Sequence, residues 1–241
     1  MKLQFKHQKF QEDAARAVCD VFTGQPLASR SYVVDPGKSA DGQGTLINIE
    51  GFANEPLVNS LTPEVMLSRI TKMQRDQQIK PSEELVGPGI NLTIEMETGV
   101  GKTYTYIKTI YELNKLYGWC KFIIVVPSIA IREGVYKSFQ VTQEHFKAEY
   151  GKTIRFFIYN SAKLSDISHF AQDSAINCMI INSQAFNAKG ADARRIYMEL
   201  DEFRSRRPID VIARTNPILI IDEPQSVEGK QMQFPLTLLS T

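Results

Sequence analysis

The chain has 241 residues, of which 43% are hydrophobic and 23% charged, and a formal net charge of +1. That length fits one large domain or two small ones, and the composition excludes disordered and fibrous classes. The near-neutral balance excludes a chain-wide nucleic-acid surface, so any such contact must come from a local patch.

From the N-terminus, Phe10, Ala14, Val18, Val21 and Phe22 recur at helical spacing, predicting a helix over 7–22 that Gly24-Gln25-Pro26 closes. Strand-like pieces at Tyr32–Val34 and Leu46–Ile49 flank a turn-rich stretch from Asp35 to Gly44, which predicts a hairpin inserted at a domain edge, with 29–60 as the insertion. Thr62-Pro63-Glu64 opens a helix reaching about Gln78: Thr62 caps it, Pro63 fits the first position and Glu64 suits the positive end.

After a loop over Pro81–Gly89, apolar strands alternate with helices. Strands are predicted at Ile90–Met96, Phe122–Val126, Ile154–Tyr159, Cys178–Asn182 and Ile218–Ile221. Helices are predicted near Lys102–Tyr117, Ile129–Phe146 and Asp192–Arg206, with Pro208-Ile209-Asp210 opening a further short one. Continuous β-branched runs imply strands buried on both faces, hence a single α/β domain with a mainly parallel sheet flanked by helices on both faces.

Chemistry concentrates at two places. The segment Thr98-Gly99-Val100-Gly101-Lys102-Thr103 follows a strand and opens a helix. Its glycines let the backbone curl so that successive N–H groups face phosphate oxygens, and the helix N-terminus adds positive potential. Lys102 is then placed to hold the β- and γ-phosphates and the Thr103 hydroxyl to bind Mg2+. Met96 stands where the full phosphate-loop pattern has its first glycine. The second place is the apolar strand Ile218–Ile221, which ends in Asp222-Glu223 and puts them at the carboxyl edge, where α/β ligands bind. Asp222 is the candidate magnesium ligand, and Glu223 the group that orients and deprotonates an attacking water. On the first helix, the amide of Gln11 suits the N6/N7 edge of adenine, and an exposed polar helix position is the plainer alternative. Together these make ATP and Mg2+ the expected ligands.

These three pieces, in this order, resemble the superfamily 2 helicases: a glutamine ahead of the core, T-G-x-G-K-T, then a D-E-x-x box. The box is Asp222-Glu223-Pro224-Gln225, and with its flank through Gly229 it looks most like the restriction (Res) subunit of type III restriction–modification enzymes. The resemblance runs from Gln11 to Gly229 and implies a RecA-like P-loop ATPase fold. It also implies contacts to a nucleic-acid backbone at Ser128 and Arg132, within Val125–Val135, and at Ser183 and Gln184, within Ile180–Asn187. Such contacts position a duplex without reading its sequence; a strand-to-helix cap is the bland alternative at Ser128 and Ser183.

What the resemblance implies is an ATP-driven motor acting on duplex DNA, with a DNA methyltransferase (modification) subunit as partner. In this family a second RecA-like domain and a nuclease domain follow, and neither is expected within 1–241; slow ATP hydrolysis by these residues alone is the corresponding expectation. A type I restriction motor or another superfamily 2 helicase is the alternative within the class, and a non-catalytic nucleotide-binding module the alternative outside it. A small-molecule P-loop kinase fits the motif order less well. The arginine-bearing stretch 194–207, interleaved with Glu199, Asp201 and Glu202, reads as a solvated helix face. No P-D…(D/E)-x-K arrangement is evident. Cys19, Cys120 and Cys178 lack a C-x-x-C pair and read as reduced thiols. With no apolar leader and no membrane-length apolar run, a cytoplasmic, membrane-free protein is expected.

Overall fold

The structure is a computed structural model that describes residues 5–28, 31–35, 49–85, 90–186, 195–203, 205–223 and 238–240. Its centre is a six-stranded sheet in the order β3-β8-β7-β4-β6-β5, with every pair parallel. The strands are Asn91–Thr93 (β3), Lys121–Val126 (β4), Ile154–Ile158 (β5), Ile176–Asn182 (β6), Ile218–Ile221 (β7) and Leu238–Ser240 (β8). Strand side chains alternate between faces, and here both faces are apolar. Phe122, Ile124, Cys178, Ile180, Ile218 and Ile220 point into one core, while Ile123, Val125, Met179, Ile181, Leu219 and Ile221 point into the other. The expected two-sided burial is thus what the sheet has.

The first core is covered by four helices: Lys9–Val21 (α1), Pro63–Asp76 (α2), Lys102–Tyr117 (α3) and Ile129–Tyr150 (α4). Thr62 caps α2, its hydroxyl accepting from the Val65 N–H at 3.4 Å, with Pro63 in the first turn as anticipated. Helix α3 ends at Gly118, whose φ is +77° and whose Cβ, if present, would lie 2.6 Å from the Ala28 carbonyl oxygen. Only glycine fits both that backbone and that space. The second core is covered by Ser165–Gln172 (α5) and Pro208–Arg214 (α6), with Ile167, Phe170, Ile209 and Ile212 facing inward.

The N-terminal hairpin forms from Ser31–Asp35 (β1) and Ile49–Ala53 (β2), paired antiparallel with Ser31 opposite Ala53. Its second strand lies later than the expected Leu46–Ile49, and 46–48 fall outside the described residues. The strand runs directly into Asn54, a buried residue that ties it to the amino edge of the sheet. The Asn54 side chain accepts from the N–H groups of Cys120 and Lys121 (2.7 and 2.9 Å) and donates to the Lys121 carbonyl at 2.8 Å. Its main chain bonds Thr215 and Asn216 just ahead of β7. Five hydrogen bonds through one residue thus fix the hairpin at the opposite rim of the sheet from the carboxyl ends of the strands.

Two differences from the sequence-based elements stand out. The helix expected over Asp192–Arg206 is not continuous: Asp201–Phe203 is a short 3-10 turn, Leu200 bridges Arg206 antiparallel, and Ser205 has a φ of +51°. Pro208 follows within two residues and Arg207 is extended, which stops any helix running through. Residues 187–194 lie outside the described set. Conversely, α5 was not foreseen. It is only two turns long, and its inward residues Ile167, Phe170 and Ala171 give too few repeats for periodicity to register.

Beneath α5, Lys121 is fully buried. Its ammonium donates to the carbonyl oxygens of Phe170 and Asp173 at the end of that helix, where cations are favoured. Burial nonetheless pulls its pKa from 10.5 down to about 8. The three cysteines are buried and in no disulfide, and burial raises the thiols of Cys19 and Cys178. Among the described residues no helix is long and apolar enough to cross a membrane.

Candidate functional site

Because every strand runs the same way, the ends Thr93, Val126, Asn182 and Ile221 lie on one rim of the sheet. The chain segments leaving that rim carry the singled-out residues. After β3 the backbone passes through Gly99 (φ +83°) and Gly101 (φ +90°), then enters α3 with Gly101 as its N-terminal boundary residue. Both angles lie where side-chain-bearing residues are strained, so the glycines are demanded by the curl of the loop. Lys102 and Thr103 begin α3 and are half-buried.

Gln11 of α1 is buried and reaches this loop. Its amide nitrogen donates to the Val100 carbonyl at 2.9 Å, a contact spanning 89 residues of sequence. A Cβ on Gly101 would come within 2.7 Å of the same nitrogen. The residue is therefore no exposed polar helix position: it props the glycine loop. Its carbonyl oxygen is left to face other partners.

Across the rim, Asp222 follows β7, and its N–H bonds the Val125 carbonyl at 3.0 Å, which holds it in line with β4. It is 7% exposed. Its carboxyl is raised above the usual range, first by burial and then by the neighbouring charge of Glu223, while the Tyr106 hydroxyl and the charge of Lys102 draw it back down. The lysine loop and the acid pair are joined through α3: the hydroxyl of Tyr106, one turn past Thr103, donates to Asp222 Oδ2 at 3.3 Å. Burial pushes that phenol well above its ordinary 10. Sequence reasoning passed over Tyr106, although its position one turn after Thr103, on the same side of α3, is a usable signal.

Glu223 sits in the left-handed region with φ +55°. A glutamate held there costs of order 1–3 kcal/mol, and such strain gathers at functional sites. The residues Pro224 and Gln225 that complete the D-E-x-x box lie outside the described set.

Whether Mg2+ with a nucleotide suits this site can be judged from its donors. Among the described residues no group of three or more His, Cys, Asp or Glu is arranged to hold a metal. Magnesium, however, is commonly held by one or two carboxylates plus substrate phosphates and water rather than by an all-protein cage. One buried carboxylate, bonded to Tyr106 of α3 and under the charge of Lys102 at the start of that helix, fits that pattern.

The residues implied in nucleic-acid contact also line the rim. Ser128 caps α4, its hydroxyl accepting from the Ile131 N–H at 3.3 Å, and Arg132 one turn on pairs with Glu133 at 2.9 Å. Past β6, Ser183 is 1% exposed and its hydroxyl has no partner among the described residues, whereas Gln184 is exposed. Elsewhere, a cleft of about 520 Å³ lined in part by Arg155, His169, Phe170 and Asp173 lies between β5 and α5, bordered by none of these residues.

Comparison with known proteins bears on more than half of the chain. The family described as type III restriction enzyme, res subunit, matches residues 62–232. The Res subunit of the type III restriction-modification enzyme EcoP15I from Escherichia coli is 34% identical over 151 residues, which is 55% of this chain and 15% of that protein. The EcoPI Res subunit of Escherichia phage P1 is 31% identical over 183 residues, 65% of this chain and 19% of that protein. For the StyLTI Res subunit of Salmonella typhimurium the identity is 32% over 152 residues, 56% of this chain and 15% of that protein. The chain thus spans less than a fifth of the length of these relatives.

Proposed function

The chain belongs to the family of type III restriction enzyme Res subunits, and from that premise we propose that it is the ATP-binding motor domain of such a subunit, hydrolysing Mg–ATP to change how the parent protein holds duplex DNA. In this reading residues 1–241 form one RecA-like domain with 29–60 as an insertion. The parent works with a DNA methyltransferase (modification) subunit in the cytoplasm. The observation that supports it best is the Tyr106 hydroxyl, which from the helix opened by the lysine loop bonds Asp222 of the acid pair.

The backbone N–H groups of Thr98–Thr103 and the N-terminus of α3 hold the phosphate chain, with Gln11 fixing the loop's shape and turning its remaining amide capacity toward adenine. Lys102 balances charge on the β- and γ-phosphates. Thr103 and Asp222 hold Mg2+, which when bound neutralises charge on the phosphate oxygens. Glu223 orients a water and accepts its proton as the water oxygen bonds the γ-phosphorus and the bond to the β-phosphate oxygen breaks, releasing ADP and phosphate. Ser128, Arg132 and Gln184, with Ser183 beneath the surface, form the side that meets the DNA backbone; these groups grip phosphates and leave sequence unread.

An arginine brought against the γ-phosphate accelerates such reactions by roughly 10³–10⁵ in other P-loop motors, so slow turnover is expected of these residues alone. A steady-state measurement of phosphate release from Mg–ATP tests the proposal. Slow turnover that disappears in Lys102→Ala and Glu223→Gln is the expected result; failure of the chain to bind Mg–ATP at all would overturn it.

A further inference from the structure

Resting on the nucleotide-site reading above, we propose that Tyr106 is a positioning residue for the magnesium side of that site, its hydroxyl setting the Asp222 carboxylate against the first turn of α3, where Thr103 stands. Nothing in the motif pattern assigns it a role. Its ring is 3% exposed and lies in the apolar core beneath α3, beside Phe122, Ile124 and Cys178 of the sheet. For that space alone a phenylalanine would serve. A buried hydroxyl costs free energy unless it is hydrogen-bonded, so the partner it finds reveals what it is for. The partner is the carboxylate of Asp222, 116 residues away in sequence.

The chemistry of the pair is complementary. A phenol can donate one proton and a carboxylate can only accept, so Tyr106 donates to Asp222 Oδ2. A carboxylate has two oxygens and about four lone-pair sites, so one such bond orients Asp222 without exhausting it for a cation. Thr103 stands one turn back on the helix that carries Tyr106.

At 3.3 Å the bond to Asp222 is long for an O–H···O contact. Bonds of this kind often tighten only when the ligand arrives. The device also joins two separate elements: α3 begins at the lysine loop and β7 ends at the acids.

The experiment compares wild type with Tyr106→Phe, which keeps the ring and deletes the oxygen. ATP binding to the purified chain is measured by calorimetry without divalent cation and then across a Mg2+ titration. The expected result is an unchanged magnesium-free affinity and an Mg2+ midpoint raised about tenfold, the scale for losing one hydrogen bond to a charged group. Equal Mg2+ midpoints in two folded proteins would overturn the proposal, as would an equal loss of affinity with and without Mg2+, which marks a merely structural role. Should Tyr106→Phe lose its folded circular-dichroism spectrum, Tyr106→Met, also lacking the hydroxyl, takes its place in the same comparison. Wild-type chain that binds no Mg–ATP defeats the nucleotide-site reading itself; wild type that binds, with a variant indistinguishable from it, defeats only the role of Tyr106.

Discussion

Replacing Gly101 by alanine tests how the phosphate loop is held. The backbone there has φ +90°, and an L-residue in that region costs about 1–2 kcal/mol. The new Cβ would also stand 2.7 Å from Gln11 Nε2. That amide must withdraw, which gives up its 2.9 Å hydrogen bond to Val100, worth about 1 kcal/mol. Lower chain entropy in the unfolded state returns about 0.4–1 kcal/mol. The net loss is about 2 kcal/mol, or a fall of about 4–8 °C in Tm for a chain of this size. Gly99→Ala is the control, because its φ is +83° but no atom lies within 4 Å of the added carbon. It should cost about half as much, from backbone strain alone. Urea denaturation of both variants, each made also in a Gln11→Ala background, separates the terms. In that background the Gly101→Ala penalty should fall to the Gly99→Ala value. Equal penalties for the two glycines in the otherwise wild-type chain, or no relief from removing Gln11, would refute the loop–amide coupling.

Other expectations follow from the same geometry. ATP at a hundredfold excess over its Kd should stabilise the wild-type chain by about 2.7 kcal/mol in a thermal-shift assay with Mg2+, and Lys102→Ala should show no such gain. Asp222→Asn removes a carboxylate whose burial disfavours its charge, so the ligand-free variant should melt higher than wild type at neutral pH while losing activity. Glu223→Gln should bind Mg–ATP normally in a filter or calorimetric assay yet release phosphate about 10²–10⁴ times more slowly. Lys121, lowered from 10.5 to about 8, holds fewer protons folded than unfolded between those values. Wild-type stability should therefore rise relative to Lys121→Met as pH increases from 8 toward 10.5, by at most about 3 kcal/mol in denaturation experiments; a gap that shrinks instead would contradict that sign.

The parts legible in the sequence were those dictated by local rules. Gly99 and Gly101 announce a backbone that only glycine adopts easily, and the structure gives both a positive φ. The β-branched runs of β4, β6 and β7 announce strands covered on both faces, and Thr62-Pro63 marks the start of α2 almost to the residue. Long, strongly periodic helices such as α3 likewise carry their bounds in their own residues. What escaped was set by distant partners. Nothing in the neighbourhood of Asn54 predicts that its side chain will bind the start of β4 while its main chain bonds the approach to β7. The helical propensity of the 195–206 stretch is overruled by the Leu200–Arg206 bridge and the proline beyond it. The acid pair was readable as a strand end, but its convergence with the lysine loop depends on sheet order, with β8 and β7 standing between β3 and β4. Tyr106 carried no signal beyond its place on α3, because the partner of its hydroxyl lies just past β7, 116 residues on.

The central claim is that Lys102 and Asp222 serve one magnesium–nucleotide pair. Calorimetric titration of ATP into wild type and Asp222→Asn, each with Mg2+ and with EDTA, tests it most directly. The account predicts that Mg2+ strengthens ATP binding to wild type, that Asp222→Asn abolishes this gain while keeping the magnesium-free affinity, and that Lys102→Ala loses affinity in both conditions. An equal gain from Mg2+ in wild type and Asp222→Asn would contradict it.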